Sequence, residues 1–289
     1  MKLQGAFDMH VHCAPDVVPR AQSFVELAQH ARDAGMAGIG LKDHTTSTIG
    51  RCYALNQLFP QGPRFFSSLV LNPPVGGLNP AAVEAALAAG VDIVYFPTYS
   101  AEHHIATLGS HTTPVPHPRR GVQSLCVLAA GELVDEARHI VDLIVEHDAV
   151  MATGHLSPQE SIALLQYANR RGARRTLVTH ASEIVPGMTT DMQQQAVALG
   201  AKIEHCFLAA TSCCPATTPL TEIARQIRAV GVAHVILSSD FGQPANGPPL
   251  AAFSAHLDRL QQLGFADDEM RRMIVDNPFE LLASGRALL

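Results

Sequence analysis

The sequence predicts a closed (β/α)8 TIM barrel, class α/β, and three observations carry that reading. Strand-like and amphipathic helical runs alternate from end to end, eight strand candidates result, and residues of ligand type gather at the C-terminal ends of those strands. With 289 residues, 47% of them hydrophobic and 16% charged, the chain can bury the core a barrel needs. A doubly wound open sheet competes, but no Gly-x-Gly-x-x-Gly turn follows the first strand. No fixed-period repeat or shift of composition marks a second domain, so residues 1–289 are expected to form one barrel.

The strand candidates are 5–12, 37–44, 65–71, 91–99, 149–155, 175–180, 201–206 and 234–240. The helices between them are punctuated. Ser23 with Glu26 reads as a capping box, and Gly35 closes that helix. Asn79 and Pro80 open another as cap and first-turn proline, ending at Gly90. Ser157 and Pro158 with Glu160 repeat the signal, ending near Gly172, and further helices run to Gly200, Gly231 and Gly264. Residues 100–120 stand apart. They hold His103, His104, His111, His117 and three prolines, which predicts a long loop over the catalytic face.

Side chains alternate along a strand, so neighbours two apart share a face. In the run from Phe7 to His12, Asp8, His10 and His12 are expected on one face and Phe7, Met9 and Val11 on the other. In strand two, Ile39 and Leu41 pack outward under helices, which turns Lys42 and His44 inward and Asp43 away. In strand eight, Val235 and Leu237 face outward and place Ser238 and Asp240 inside. In strand seven an outward Ile203 turns Glu204 inward and His205 outward, although Ala201 and Ile203 can equally line the lumen.

Barrel sites lie at the C-terminal ends of the strands. There the chain offers His10 and His12, Lys42 and His44, His155, His180, Glu204 or His205, and Asp240. For any one histidine, a core role satisfied by a backbone carbonyl is an equal reading. Taken together, His10, His12, His155, His180 and Asp240 point to a divalent metal. Imidazole and carboxylate suit zinc first, and manganese, iron and cobalt as well. An open coordination position brings the pKa of a bound water to about 7, and an adjacent Asp240 can both ligate and shuttle a proton.

Composition excludes several classes. A formal net charge of −6 gives no basic footprint for nucleic acid, and scarce aromatics without tryptophan argue against a base- or sugar-stacking surface. No apolar run is long enough to span a membrane. The first strand begins within a few residues of Met1, which predicts no signal peptide and a cytoplasmic location. The six cysteines form no Cys-x-x-Cys pair and read as free thiols, with Cys213 and Cys214 as incidental neighbours.

The order and spacing of these residues resemble the amidohydrolase superfamily of metal-dependent hydrolases. That family carries His-x-His on strand one, His on strands five and six, and Asp on strand eight of a (β/α)8 barrel. The resemblance implies that His10, His12 and Asp240 make a first metal site, and that Asp240 is the proton shuttle. It implies for His155 and His180 either a second metal site or substrate contacts. The segment from Asp276 to Leu282 looks like the Asn-Pro-x-x-Leu-Leu helix common near that family's C-terminus. Because His10 comes so early, no N-terminal β-sandwich is expected, and the chain is more similar to the compact phosphotriesterase-, TatD- and lactonase-type members.

Two departures matter. The bridging Lys or Glu of two-metal members is missing at the end of strand four, which reads Phe96, Pro97, Thr98, Tyr99. Lys42, Glu102 and Glu204 are substitutes out of place, so one firm ion is expected rather than a standard pair. Second, the run Lys42, Asp43, His44, Thr45 resembles the Asp-His motif of the polymerase-and-histidinol-phosphatase family. Ser238, Ser239, Asp240 and Phe241 stand where that family has Asp-x-His.

The function expected from the resemblance is hydrolysis of a small-molecule amide, lactone or other ester, with metal-activated water as nucleophile. A decarboxylase-type lyase, a phosphoesterase and a non-catalytic metal-binding barrel are the alternatives. Lys42, His44, Arg51 or a histidine of the 100–120 loop is expected to meet an anionic substrate group. The partner expected is a small molecule rather than nucleic acid or membrane, and a homo-oligomer stays open.

Overall fold

The structure, a computed structural model, describes residues 3–109, 124–214 and 216–283. Its strands are β1 (Phe7–Val11), β2 (Gly38–Leu41), β3 (Arg64–Phe66), β4 (Ser68–Val70), β5 (Ile93–Tyr95), β6 (Leu128–Ala129), β7 (Glu132–Leu133), β8 (Val150–Ala152), β9 (Thr176–Val178), β10 (Lys202–Cys206) and β11 (Val235–Ser238). β6 and β7 form a small antiparallel hairpin apart from the rest. β3 and β4 are one barrel strand broken at Ser67, whose backbone N–H and hydroxyl both donate to the Asp92 carboxylate at 2.7 and 2.9 Å. Each of the eight sequence signals therefore produces a barrel strand, shorter than the signal.

All lateral pairings are parallel, in the order β1-β2-β3 and β4-β5-β8-β9-β10-β11. The ring closes between its first and last strands. Asp240 N–H donates to His10 O and His12 N–H donates to Phe241 O, both at 2.8 Å. The seam of the barrel thus runs directly through the expected ligands.

Two apolar layers follow from strand alternation. Phe7, Met9, Phe66, Val70, Ile93, Tyr95, Val150, Ala152, Leu177 and Ile236 fill the lumen. Leu281 and Leu282, from the helix Asn277–Leu282, join that cluster and stop the lower end of the barrel. The Asn277 side-chain amide donates to Val232 O and Val235 O, which explains the asparagine in that motif. Val11, Ile39, Leu41, Val94, Met151, Val178, Ile203 and Leu237 belong to the outer layer between strands and helices.

This corrects the face assignment of strand one. Phe7 and Met9 face the lumen whereas Val11 faces outward. The cause is a register irregularity between Asp8 and Val11, which adds a step to the alternation. Asp8 accordingly does not join His10 and His12; it accepts from Ser239 N–H at 2.9 Å. Without that irregularity, either Met9 or His10 would point the wrong way.

The helices begin where the sequence places them. Ser23 and Ser157 both form complete capping boxes with Glu26 and Glu160, and Asn79 caps Pro80–Ala88. The 100–120 segment differs from the expected loop. It opens with a helix, Glu102–Leu108, whose start is fixed by a bridge between Ala101 and Leu125. His111 and His117 lie outside the described residues. No helix among the described residues is long and apolar enough to cross a membrane.

Candidate metal centre

His10 and His12 converge on one carboxylate oxygen. The Nε2 atoms lie 3.2 and 3.1 Å from Asp240 Oδ1, and all three residues are buried. Local backbone explains the convergence. Asp240 sits at φ +54°, in the left-handed region that Asp tolerates better than most residues, and this bends the chain back over strand one. Gly242 follows because a Cβ there would stand 2.2 Å from His12 O.

Glu204, from β10, sits on the opposite edge of the His10 ring. Burial alone would raise its pKa, but the adjacent His10 imidazole and their hydrogen bond hold it at about 2. An ionised Glu204 can only accept, so His10 Nδ1–H donates to its Oε2 at 3.2 Å and the lone pair of Nε2 is left on the side of Lys42 and Asp240. Lys42 Nζ–H donates to that lone pair at 2.9 Å. Burial lowers the Lys42 pKa, and its amine also lies 4.6 Å over the Tyr95 ring.

A second group lies beside the first. His180 ends β9 at φ +31°, an uncommon conformation for a residue with a Cβ. Glu183 N–H donates to His180 O at 2.9 Å, a turn that folds the glutamate back over the imidazole. Glu183 Oε2 then stands 3.8 Å from His180 Nδ1. Burial and the nearby Asp240 charge push the Glu183 pKa well up, while burial brings that of His180 down to about 3.

The remaining wall consists of imidazoles without carboxylates. His155 Nδ1 is 2.8 Å from His104 Nδ1, and the two rings stack at 4.9 Å. Gly154, just before His155, is required there because a Cβ would meet Phe96 O at 2.2 Å. His44 is held by Thr98 Oγ1 at 2.9 Å and by Asn72, whose amide donates to His44 O. Burial drives the pKa values of His12, His44 and His155 well below the ordinary histidine value and that of His104 to about 4. These rings are neutral at pH 7 and suited to ligation or hydrogen bonding.

Above these groups lies a cavity of about 270 Å³, bordered by His12, Lys42, His44, His155, Glu183 and Asp240, with Arg20, Tyr99 and His104 on its walls. Lys42, His44 and Glu204 thus join the expected ligands. His205 does not: it faces away from the lumen, its Nδ1 3.1 Å from Ser182 Oγ. Glu102 is exposed on its helix, and Arg51 pairs with Asp43 at 2.9 Å, so neither reaches the centre. Sequence reasoning missed Glu183, Arg20, Tyr99 and Cys206, whose Sγ lies 3.6 Å from His10 Nδ1. The His-x-x-Glu spacing of His180 and Glu183 was the available signal for the first of these.

The donor set fits a divalent cation. His10, His12 and Asp240 place ligand atoms within 4.8 Å of one another, as do His180, Glu183 and Asp240. His180 Nδ1 and Glu183 Oε1 are buried with no hydrogen-bond partner within the protein, an arrangement that costs free energy unless a cation or a water satisfies it.

The profile of a family of unknown function, DUF6282, matches residues 5–204. No curated protein matches the sequence. Among solved structures the chain is similar to an amidohydrolase from Pseudomonas aeruginosa, at 12% identity and TM-score 0.64, covering 96% of this chain and 95% of that one. A TatD homologue from Escherichia coli K12 gives 16% identity and TM-score 0.59 over 98% and 99% of the two chains. An organophosphorus hydrolase from Deinococcus radiodurans gives 13% identity and TM-score 0.60 over 98% and 93%. At these identities the likeness is one of fold, and the fold is that of amidohydrolase-type barrels.

Proposed function

The chain belongs to DUF6282, a family of unknown function, so its chemistry has to be argued from the site, and we propose a metal-dependent hydrolase of a small-molecule amide, lactone or other ester. The observation that carries this reading is the meeting of two imidazoles on Asp240 beside a cavity that His12 and Asp240 both border. His10, His12 and Asp240 would hold the ion. When bound there, a divalent ion supplies Lewis acidity and lowers the pKa of water to about 7.

The chain's own residues account for the rest. Asp240 borders the cavity and takes the proton of the attacking water, then returns it to the leaving group. Glu204 fixes the tautomer and orientation of His10 from below. The neutral rings of His44, His104 and His155 offer hydrogen bonds to a substrate carbonyl or leaving group, and Arg20 and Lys42 offer positive charge to an anionic substituent. The cavity volume suits a small molecule. Zinc, manganese, iron and cobalt all suit these donors.

The test is a panel of lactones, esters, amides and organophosphates assayed with metal-loaded protein. Turnover is expected on one class, and Asp240→Asn should lose about 10²–10⁴-fold in kcat. A panel left entirely uncleaved by protein of full metal content would overturn the hydrolase reading.

A further inference from the structure

We infer that the chain holds a second divalent cation on His180 Nδ1, Glu183 and Asp240, with the Asp240 carboxylate shared between the two ions. This rests on the reading that His10, His12 and Asp240 hold the first. The sequence resemblance gives His155 and His180 together either a second metal site or substrate contacts, and the geometry divides that pair. His155 turns to His104 at 2.8 Å and belongs to none of the ligand-distance groups among the described residues. His180 keeps company with two carboxylates instead.

Three independent features support the site. The ligand atoms of His180, Glu183 and Asp240 already lie within 4.8 Å of one another. His180 Nδ1 and Glu183 Oε1 are buried with no hydrogen-bond partner within the protein, and both carboxylates of the group are buried. Both His180 and Asp240 hold left-handed backbone, at φ +31° and +54°, which is the conformation that aims them at a common point. The arrangement also removes the need for a bridging residue at the end of strand four. Asp240, held by its backbone N–H to His10 O at 2.8 Å, takes that part from strand eight.

The two sites differ chemically. The first offers two imidazoles and one carboxylate, the second one imidazole and two carboxylates. More oxygen donors suit harder ions such as Mn²⁺ and leave zinc less favoured at the second position. Glu183 borders the cavity, as do His12 and Asp240 of the first site, whereas His10 is fully enclosed.

Equilibrium dialysis of the full chain against Mn²⁺, with metal counted by mass spectrometry and followed by electron paramagnetic resonance, tests this. Wild type should bind two ions with a spin-coupled spectrum. Glu183→Gln should bind one and give an uncoupled signal, and His155→Gln should still bind two. Anomalous scattering from wild-type crystals should show a second peak at bonding distance from Glu183, a readout that needs no folded variant. A wild type with one ion on His10 and His12 would overturn the second site and leave the proposed hydrolase standing. Loss of an ion in His155→Gln but not in Glu183→Gln would also overturn it. A wild type that binds no ion would overturn both.

Discussion

The histidines at the end of strand one and the histidine at the end of strand five look alike in the sequence, yet the fold puts them to different uses. His10 and His12 meet Asp240 on one side, and Glu204 supports His10 on the other. His155 meets His104, stacks beside it, and lies edge-on to Tyr99. The difference lies in the carboxylates. An imidazole accompanied by buried anions is prepared for a cation, because those anions need one. An imidazole among neutral rings is prepared for a neutral or anionic guest.

The largest effect should separate the two directly. His12→Ala is expected to weaken metal binding by more than about 100-fold, beyond what loss of a supporting residue costs. His155→Ala should leave metal content intact and raise KM instead. Metal titration with the two variants side by side measures this, and equal losses of metal would erase the distinction.

Glu204→Gln probes the carboxylate half of the comparison. It keeps the shape and removes the charge that fixes His10 as a donor from Nδ1. The expected cost is about 10- to 100-fold in metal affinity, with the fold retained. Unchanged affinity would mean that the strand-one pair is positioned by the backbone alone.

This contrast also shows what the sequence could and could not reveal. Strand order, the capping boxes at Ser23 and Ser157 and the convergence of His10, His12 and Asp240 at the strand ends were legible, because alternation and punctuation are local signals. The irregularity within β1 was not, because it arises from pairing with β2 rather than from any residue in β1. Glu183 was hidden for a similar reason. It lies past the strand end, where a turn rather than strand periodicity decides its direction. The partner of His155 came from a helix, Glu102–Leu108, in a segment whose prolines suggested a loop.

Acid should affect the metal-free protein mainly through its neutral imidazoles. Seven histidines, His12, His44, His104, His155, His180, His205 and His256, have pKa values lowered by burial. For each, the unfolded chain binds the extra proton below about pH 6.5, so stability falls as pH drops from there toward the folded value, about 4 for His104 and His205. Asp8, raised to about 7 by burial, and Glu183 act with the opposite sign over this window. Seven against two leaves a net loss on acidification of at least about 1.4 kcal/mol per pH unit, the weight of one uncompensated histidine. Urea midpoints of metal-free protein at pH 7 and 5.5 should show it, and His104→Gln should flatten the slope. A midpoint that rises on acidification would mean the wall is not neutral.

Lys42 stands on the boundary between the two regions and gives the smallest predicted change. Its amine donates to the same His10 Nε2 lone pair that a cation would take. Lysine and metal therefore compete, and the competition is between one hydrogen bond and one coordinate bond. Lys42→Met keeps the buried stem over Tyr95 and removes the donor. Metal affinity should then rise by up to about tenfold, equivalent to about 1.4 kcal/mol, while turnover on an anionic substrate falls. A fall in metal affinity would give Lys42 the opposite role, a partner in holding the ion rather than a rival for it.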